Sequence, residues 1–166
     1  MIKGQDIVVL AALMGGDEHP RSYAPLAKRT KLSVSETHAA VKRLQDAMLV
    51  DEDRRLRKRN AVEFLTHAIR YVFPPVVTNT NVKGMPTGYA APVATSEFAV
   101  SGDVPVWPCE NGTVEGRAFA PVYSSVPSAA AADSDMYDAL AVIDMLRGGR
   151  LRERAFAEKK LQELVK

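Results

Sequence analysis

Apolar positions in the first part of the chain follow a three- and four-residue rhythm that predicts helices. The run Ile7 to Met14 lies in a helix expected from about Gln5 to Met14, which Gly15-Gly16 ends because glycine accepts the left-handed conformation of a helix terminus. A second helix starts at Ser22 as N-cap, carries Tyr23, Leu26 and Ala27 at i, i+3, i+4 spacing, and ends around Thr30. Ser33 and Glu36 make an S-x-x-E capping box for a third helix, with Val34, Thr37, Val41, Leu44 and Met48 as its expected buried stripe. Only Lys31-Leu32 lies between the second and third helices, so the two must cross sharply, which is helix-turn-helix geometry. Leu49 to Arg57 then reads as two short extended pieces around a polar turn, a small β-hairpin or wing. Asn60 is the expected cap of a fourth helix bearing Val62, Leu65, Ile69 and Val72, which must stop before Pro74-Pro75.

The pattern changes after residue 73. Residues 74 to 132 hold eight of the ten prolines and only six charged side chains, so long regular helix is not expected there. Within this stretch, Val104 to Pro108 and Thr113 to Val122 flank Asn111-Gly112, a strong two-residue turn signal, and predict an antiparallel hairpin with Trp107 and Phe119 partly buried. A fifth helix, Asp135 to Leu146, with Tyr137, Leu140, Ile143 and Leu146 as its apolar set, is ended by Gly148-Gly149. A sixth runs from Arg150 to about Val165 with Leu151, Ala157, Leu161 and Leu164. No internal repeat occurs, and low complexity is confined to Ala129 to Ala132. The expected architecture is mostly α with small β. It places a winged helix-turn-helix over residues 1–73, followed over residues 74–166 by a Pro-rich β-hairpin and loop region and two C-terminal helices.

Particular residues in the first third carry a family resemblance. Tyr23-Ala24-Pro25-Leu26-Ala27, Leu32-Ser33-Val34-Ser35-Glu36-Thr37-His38, Val41-Lys42-Arg43-Leu44 and Leu49-Val50 together resemble the helix-turn-helix of MarR-type and Lrp/AsnC-type winged-helix regulators of bacteria. The resemblance covers roughly residues 5 to 60, and Met48 stands where the family pattern has a glycine. It implies a DNA-binding regulator whose third helix enters the major groove. Residues 74–166 carry no motif of a known effector domain.

Charge points the same way. Net charge is only +2, but residues 1–73 hold 13 Lys/Arg against 9 Asp/Glu, residues 74–132 hold 2 against 4, and residues 133–166 hold 7 against 7. Positive charge therefore gathers where a polyanion would bind. With the apolar stripe turned inward, Ser33, Ser35, Glu36, His38, Ala39, Lys42 and Arg43 are the residues expected on the outer or flanking face of the third helix. Arg54, Arg55, Arg57, Lys58 and Arg59 place five cations in six positions on and after the wing. The last three fall at the start of the fourth helix, where the macrodipole is positive and cations are unfavourable unless an anion sits with them.

Several function classes are excluded. No phosphate loop, dinucleotide glycine fingerprint, H-E-x-x-H or nucleophile elbow occurs, and Cys109 has no His/Asn partner in a recognisable frame, so no enzyme activity and no cofactor are expected. The three histidines lack metal-ligand spacing. His19 reads as a loop residue before Pro20 and His67 as a surface residue on the fourth helix. A single cysteine fits a reducing compartment, and an eight-residue apolar run is too short to span a bilayer, so a cytoplasmic protein without membrane contact is expected. The expected partners are double-stranded DNA and a second copy of the chain in a dimeric repressor. The alternative is an antitoxin-like or adaptor protein that grips a co-encoded partner through Tyr89 and Trp107, with DNA binding secondary.

Overall fold

The computed structural model describes residues 1–15 and 22–165; Gly16, His19 and Pro20, read above as a helix stop and the loop after it, lie outside the described residues. Among the described residues the chain is mostly helical with one small three-stranded sheet. It opens with α1 (Gly4–Met14), α2 (Tyr23–Thr30) and α3 (Val34–Asp46). The α3 capping box forms as expected: Glu36 N donates to Ser33 Oγ at 3.1 Å, and Ser33 N donates to Glu36 Oε2 at 2.9 Å.

Both helices of the α2–α3 pair end in left-handed residues. Lys31 has φ 57° and Met48 φ 61°. Beyond α3, Met48 N donates to Gln45 O and Leu49 N to Leu44 O, each at 2.9 Å, the bond pair that closes a helix when its C′ residue is left-handed. Met48 thus keeps the conformation that favours glycine at this point.

The buried stripe of α3 is Thr37, Ala40, Val41 and Leu44, which corrects the expectation for Val34 and Met48; these are 52% and 53% exposed. Ala40 takes a place in the stripe and turns the buried face away from Val34, while Met48 lies past the helix end. After α3, Val50 and Leu56 form an isolated antiparallel bridge, supported by Asp51 N donating to Arg55 O at 2.9 Å and Arg57 N to Leu49 O at 2.8 Å. Next come α4 (Lys58–His67) and α5 (Ile69–Val72). Arg57, not Asn60, is the α4 N-cap. Asn60 sits in the first turn, and its Nδ2 donates to Met48 O at 2.7 Å, tying α4 to the end of α3. The break at Ala68 rotates the chain so that Ile69 is buried while Val72 is 49% exposed.

The strands are β1 (Val77–Pro86), β2 (Pro105–Pro108) and β3 (Val114–Phe119), closed into a miniature barrel. The expected antiparallel hairpin does not form. Both β2 and β3 run antiparallel to the long, curling β1, which forces them parallel to each other through Pro105–Arg117 and Val106–Ala118. Closure this tight requires glycine: a Cβ on Gly84 would collide with the Trp107 carbonyl and one on Gly116 with the Val104 carbonyl. Trp107 is fully buried and Phe119 nearly so, rather than partly.

Three further helices complete the chain: α6 (Val126–Ala132), α7 (Ser134–Gly148) and α8 (Leu151–Leu164). The low-complexity alanine tract forms the end of the short helix α6, with Pro127 in the first turn where its missing N–H costs nothing. The carboxylate of Asp133 caps α7, accepting from Asp135 N at 2.9 Å and Met136 N at 3.3 Å. From Ala139 to Arg147 every residue of α7 is buried, which makes it the central helix of the core. One apolar cluster joins Ile7 and Leu10 of α1, Leu44 of α3, Leu65 of α4, Trp107 of β2, Leu140 and Ile143 of α7 and Leu161 of α8. Residues 1–73 and 74–166 therefore share the main core, beside which Ala90, Val104 and Val106 make a small second cluster in the strand region.

A buried polar network pins that core. Asp144 Oδ2 accepts from Thr87 Oγ1 at 2.8 Å and Trp107 Nε1 at 2.7 Å, and its Oδ1 accepts from the Arg147 guanidinium at 2.7 Å. Arg147 Nε in turn donates to Phe73 O at 2.9 Å. The barrel, the end of α5 and α7 are thereby fastened to one another. Burial pushes the Asp144 pKa up, against the pull of Arg147, Thr87 and Trp107.

Candidate nucleic-acid interface

The outer surface of α3 is built by default, because the residues not needed against α1 and α2 face away from the core. Ser33, Ser35, His38 and Lys42 are exposed; Glu36 and Ala39 are half-buried. Val34, His38 and Lys42 recur at steps of four and so stand in one row along the helix.

Aromatic contacts join this row to its neighbours. The His38 ring meets the Tyr23 ring of α2 edge-on, with centroids 4.9 Å apart and planes at 72°. Over the same tyrosine ring, 4.9 Å from its centroid, lies the guanidinium of Arg54. In the sequence Tyr23 is an apolar position of the second helix and the first residue of the motif that carries the family resemblance. In the structure it brings together α2, the outer row of α3 and the loop from Leu49 to Arg57. Arg54 holds a left-handed φ of 65° at the tip of that loop, and Asp51 Oδ1 braces the turn by accepting from Arg55 N at 2.8 Å.

Beyond the stack, Arg55, Arg57, Lys58 and Arg59 are all exposed, the last two in the first turn of α4. Cations at that end of a helix oppose its dipole. Folding gains nothing from this arrangement, and a bound anion would reverse its sign.

Two of the expected contact residues are committed elsewhere. Arg43 points to the core side of α3, donating from Nε at 2.8 Å and from its terminal nitrogen at 2.7 Å to the fully buried carboxylate of Asp6. The pair is bidentate and joins α3 to α1. Glu36 spends its carboxylate on the Ser33 amide, which holds its pKa below the usual range, and it also accepts from Tyr123 OH at 3.5 Å. The Asp6–Arg43 pair had one faint sequence signal, a lone acid at the head of an otherwise apolar helix.

The residues expected to meet a protein partner separate. Trp107 is fully buried, so it presents nothing to a partner; its role is the indole hydrogen bond to Asp144. Tyr89 is half-buried and lines an open cleft of about 460 Å³ together with Asp103, Arg117, Phe119, Arg150 and Glu153. Burial raises the Tyr89 pKa, as does the nearby Glu153.

Among the described residues, no group of three or more His, Cys, Asp or Glu could hold a metal ion, and no helix is long and apolar enough to cross a membrane. No family model, curated protein or solved structure matches the chain.

Proposed function

We propose that this chain is a cytoplasmic, sequence-specific regulator of transcription that binds double-stranded DNA through a winged helix-turn-helix and acts as a homodimeric repressor. The Tyr23 stack carries the reading: one side chain of α2 fixes an exposed residue of α3 and an arginine of the Val50–Leu56 loop on a common side of the molecule. In this reading α2 and α3 are the helix pair, α3 is the recognition helix and the loop is the wing. Ser33, Ser35, His38 and Ala39 meet base edges. Lys42, Arg55, Arg57, Lys58 and Arg59 meet phosphates, and Arg54 is aimed by Tyr23. A two-fold dimer places half-sites about one helical turn, or a multiple of it, apart.

The test is selection of bound fragments from a genomic duplex library at two salt concentrations. A regulator enriches a common, near-palindromic sequence at both concentrations, with weaker retention at the higher one. Failure to enrich any sequence at either concentration rejects the reading.

The cleft at Tyr89 favours a second reading, an antitoxin-like or adaptor protein whose C-terminal half grips another protein. In that case the tightest complex is with a co-encoded protein. Tyr89→Ala weakens it and Lys42→Ala leaves it intact.

A further inference from the structure

One exposed apolar side chain near the proposed recognition surface, Val34, lies outside the apolar core. Val34 occupies the first position of α3 and is 52% exposed, flanked by the exposed hydroxyls of Ser33 and Ser35. Helix formation does not call for it, since a β-branched residue is a weaker helix former than most and the capping here is done by Ser33 and Glu36.

Its position is more informative than its exposure. Val34 heads the row that continues through His38 and Lys42, and His38 is the member fixed by Tyr23 next to Arg54. Val34 therefore puts an exposed branched apolar side chain at the leading end of a surface whose other members are hydroxyls, an imidazole, cations and the small, half-buried Ala39. The residues at this end of a recognition helix are the ones that reach base edges. A major groove offers them donors, acceptors and one apolar group, the C5 methyl of thymine.

Resting on the regulator reading above, we infer that Val34 reads a thymine methyl in the operator. Its γ-methyl groups cover the C5 methyl and select thymine over cytosine, which presents an amino group and no methyl at the same edge. His38, one turn further along, faces the adjoining base pair, and Lys42 reaches the backbone.

Deoxyuridine lacks only this methyl, so it isolates the contact. The duplex most enriched from a random-sequence pool is titrated with the full-length protein while each thymine in turn is replaced by deoxyuridine, for wild type and for Val34→Ala. Wild type is expected to lose about fourfold in affinity at one thymine per half-site, the equivalent of burying roughly one methyl. Val34→Ala binds thymine and deoxyuridine duplexes equally, and its unchanged melting temperature shows that it is folded. An enriched duplex that tolerates every replacement, or a sensitivity that survives in Val34→Ala, overturns the inference and leaves the regulator reading standing. A pool from which nothing is enriched overturns both.

Discussion

The guanidinium of Arg43 embraces the carboxylate of Asp6 at 2.7 and 2.8 Å, locking α3 against α1 with a bidentate ion pair whose acid is wholly buried. Adjacent residues of the basic Lys42-Arg43 pair thus have opposite fates. Lys42 faces solvent, whereas Arg43 balances a charge that the core cannot otherwise tolerate.

Replacement of each separates fold from function. Arg43→Ala leaves Asp6 without its cation and is expected to destabilise the protein by about 2 to 3 kcal/mol, below the cost for a fully buried pair because the Arg43 side chain is partly exposed. Lys42→Ala leaves stability unchanged and reduces the salt slope of DNA binding by about one. Urea denaturation and binding titrations check the two. An Arg43→Ala protein of wild-type stability refutes the structural role.

Met48 holds a left-handed conformation that costs a residue with a Cβ on the order of 1 kcal/mol. Its side chain is largely exposed, so Met48→Gly loses little packing. This substitution is expected to raise stability by about 0.5 to 1 kcal/mol despite the greater freedom of glycine in the unfolded chain. A lower denaturation midpoint contradicts it.

Asp144 is the junction of the barrel, α7 and, through Arg147, the end of α5. Asp144→Ala strands a buried guanidinium together with the donors of Thr87 and Trp107, at an expected cost of about 3 to 5 kcal/mol. Because one core spans both halves of the chain, the loss appears as a single lowered transition rather than as selective melting of the C-terminal half. Two separated transitions contradict this.

Tyr137 donates from its hydroxyl to Pro86 O at 2.6 Å, and burial, helped by the nearby Cys109 and Asp138, pushes its pKa up to about 12. The unfolded chain releases that proton near pH 10, so the native state holds it more tightly. The stability this supplies is complete below about pH 10 and is lost as pH rises toward about 12. Tyr137→Phe is expected to be less stable at neutral pH by about 1 kcal/mol, for the missing hydrogen bond, and to have a flatter alkaline limb. Denaturation midpoints between pH 8 and about 11 decide this; parallel limbs refute it.

How far these features could be read in advance depended on the range of the interactions behind them. The α3 capping box and the helix stop near Thr30 rest on neighbours in sequence and were legible. The exposure of Val34 and Val72 is not legible because a stripe at helical spacing does not say where packing ends: Ala40 joins the buried face of α3, and the chain breaks at Ala68 before Val72. The strand pairing around Asn111-Gly112 was unreadable for a different reason. A local turn signal predicts a hairpin, but here β1 captures both strands and reverses their mutual direction. Within the candidate site, the exposed cations were visible as a charge run. The Tyr23 hub and the Asp6–Arg43 pair arise from contacts between separate helices, which no spacing along one helix encodes.

The most direct measurement is the slope of log K against log salt for binding to the selected duplex, compared between wild type and a variant with Lys42, Arg55, Arg57, Lys58 and Arg59 all changed to alanine. These side chains are exposed, so the variant should fold. At roughly −0.9 per neutralised phosphate, wild type is expected to give a slope of about −4 to −5 per protomer and the variant a slope near zero. Equal slopes for the two proteins, or no wild-type binding at the lowest salt, would contradict the proposal that this face holds DNA.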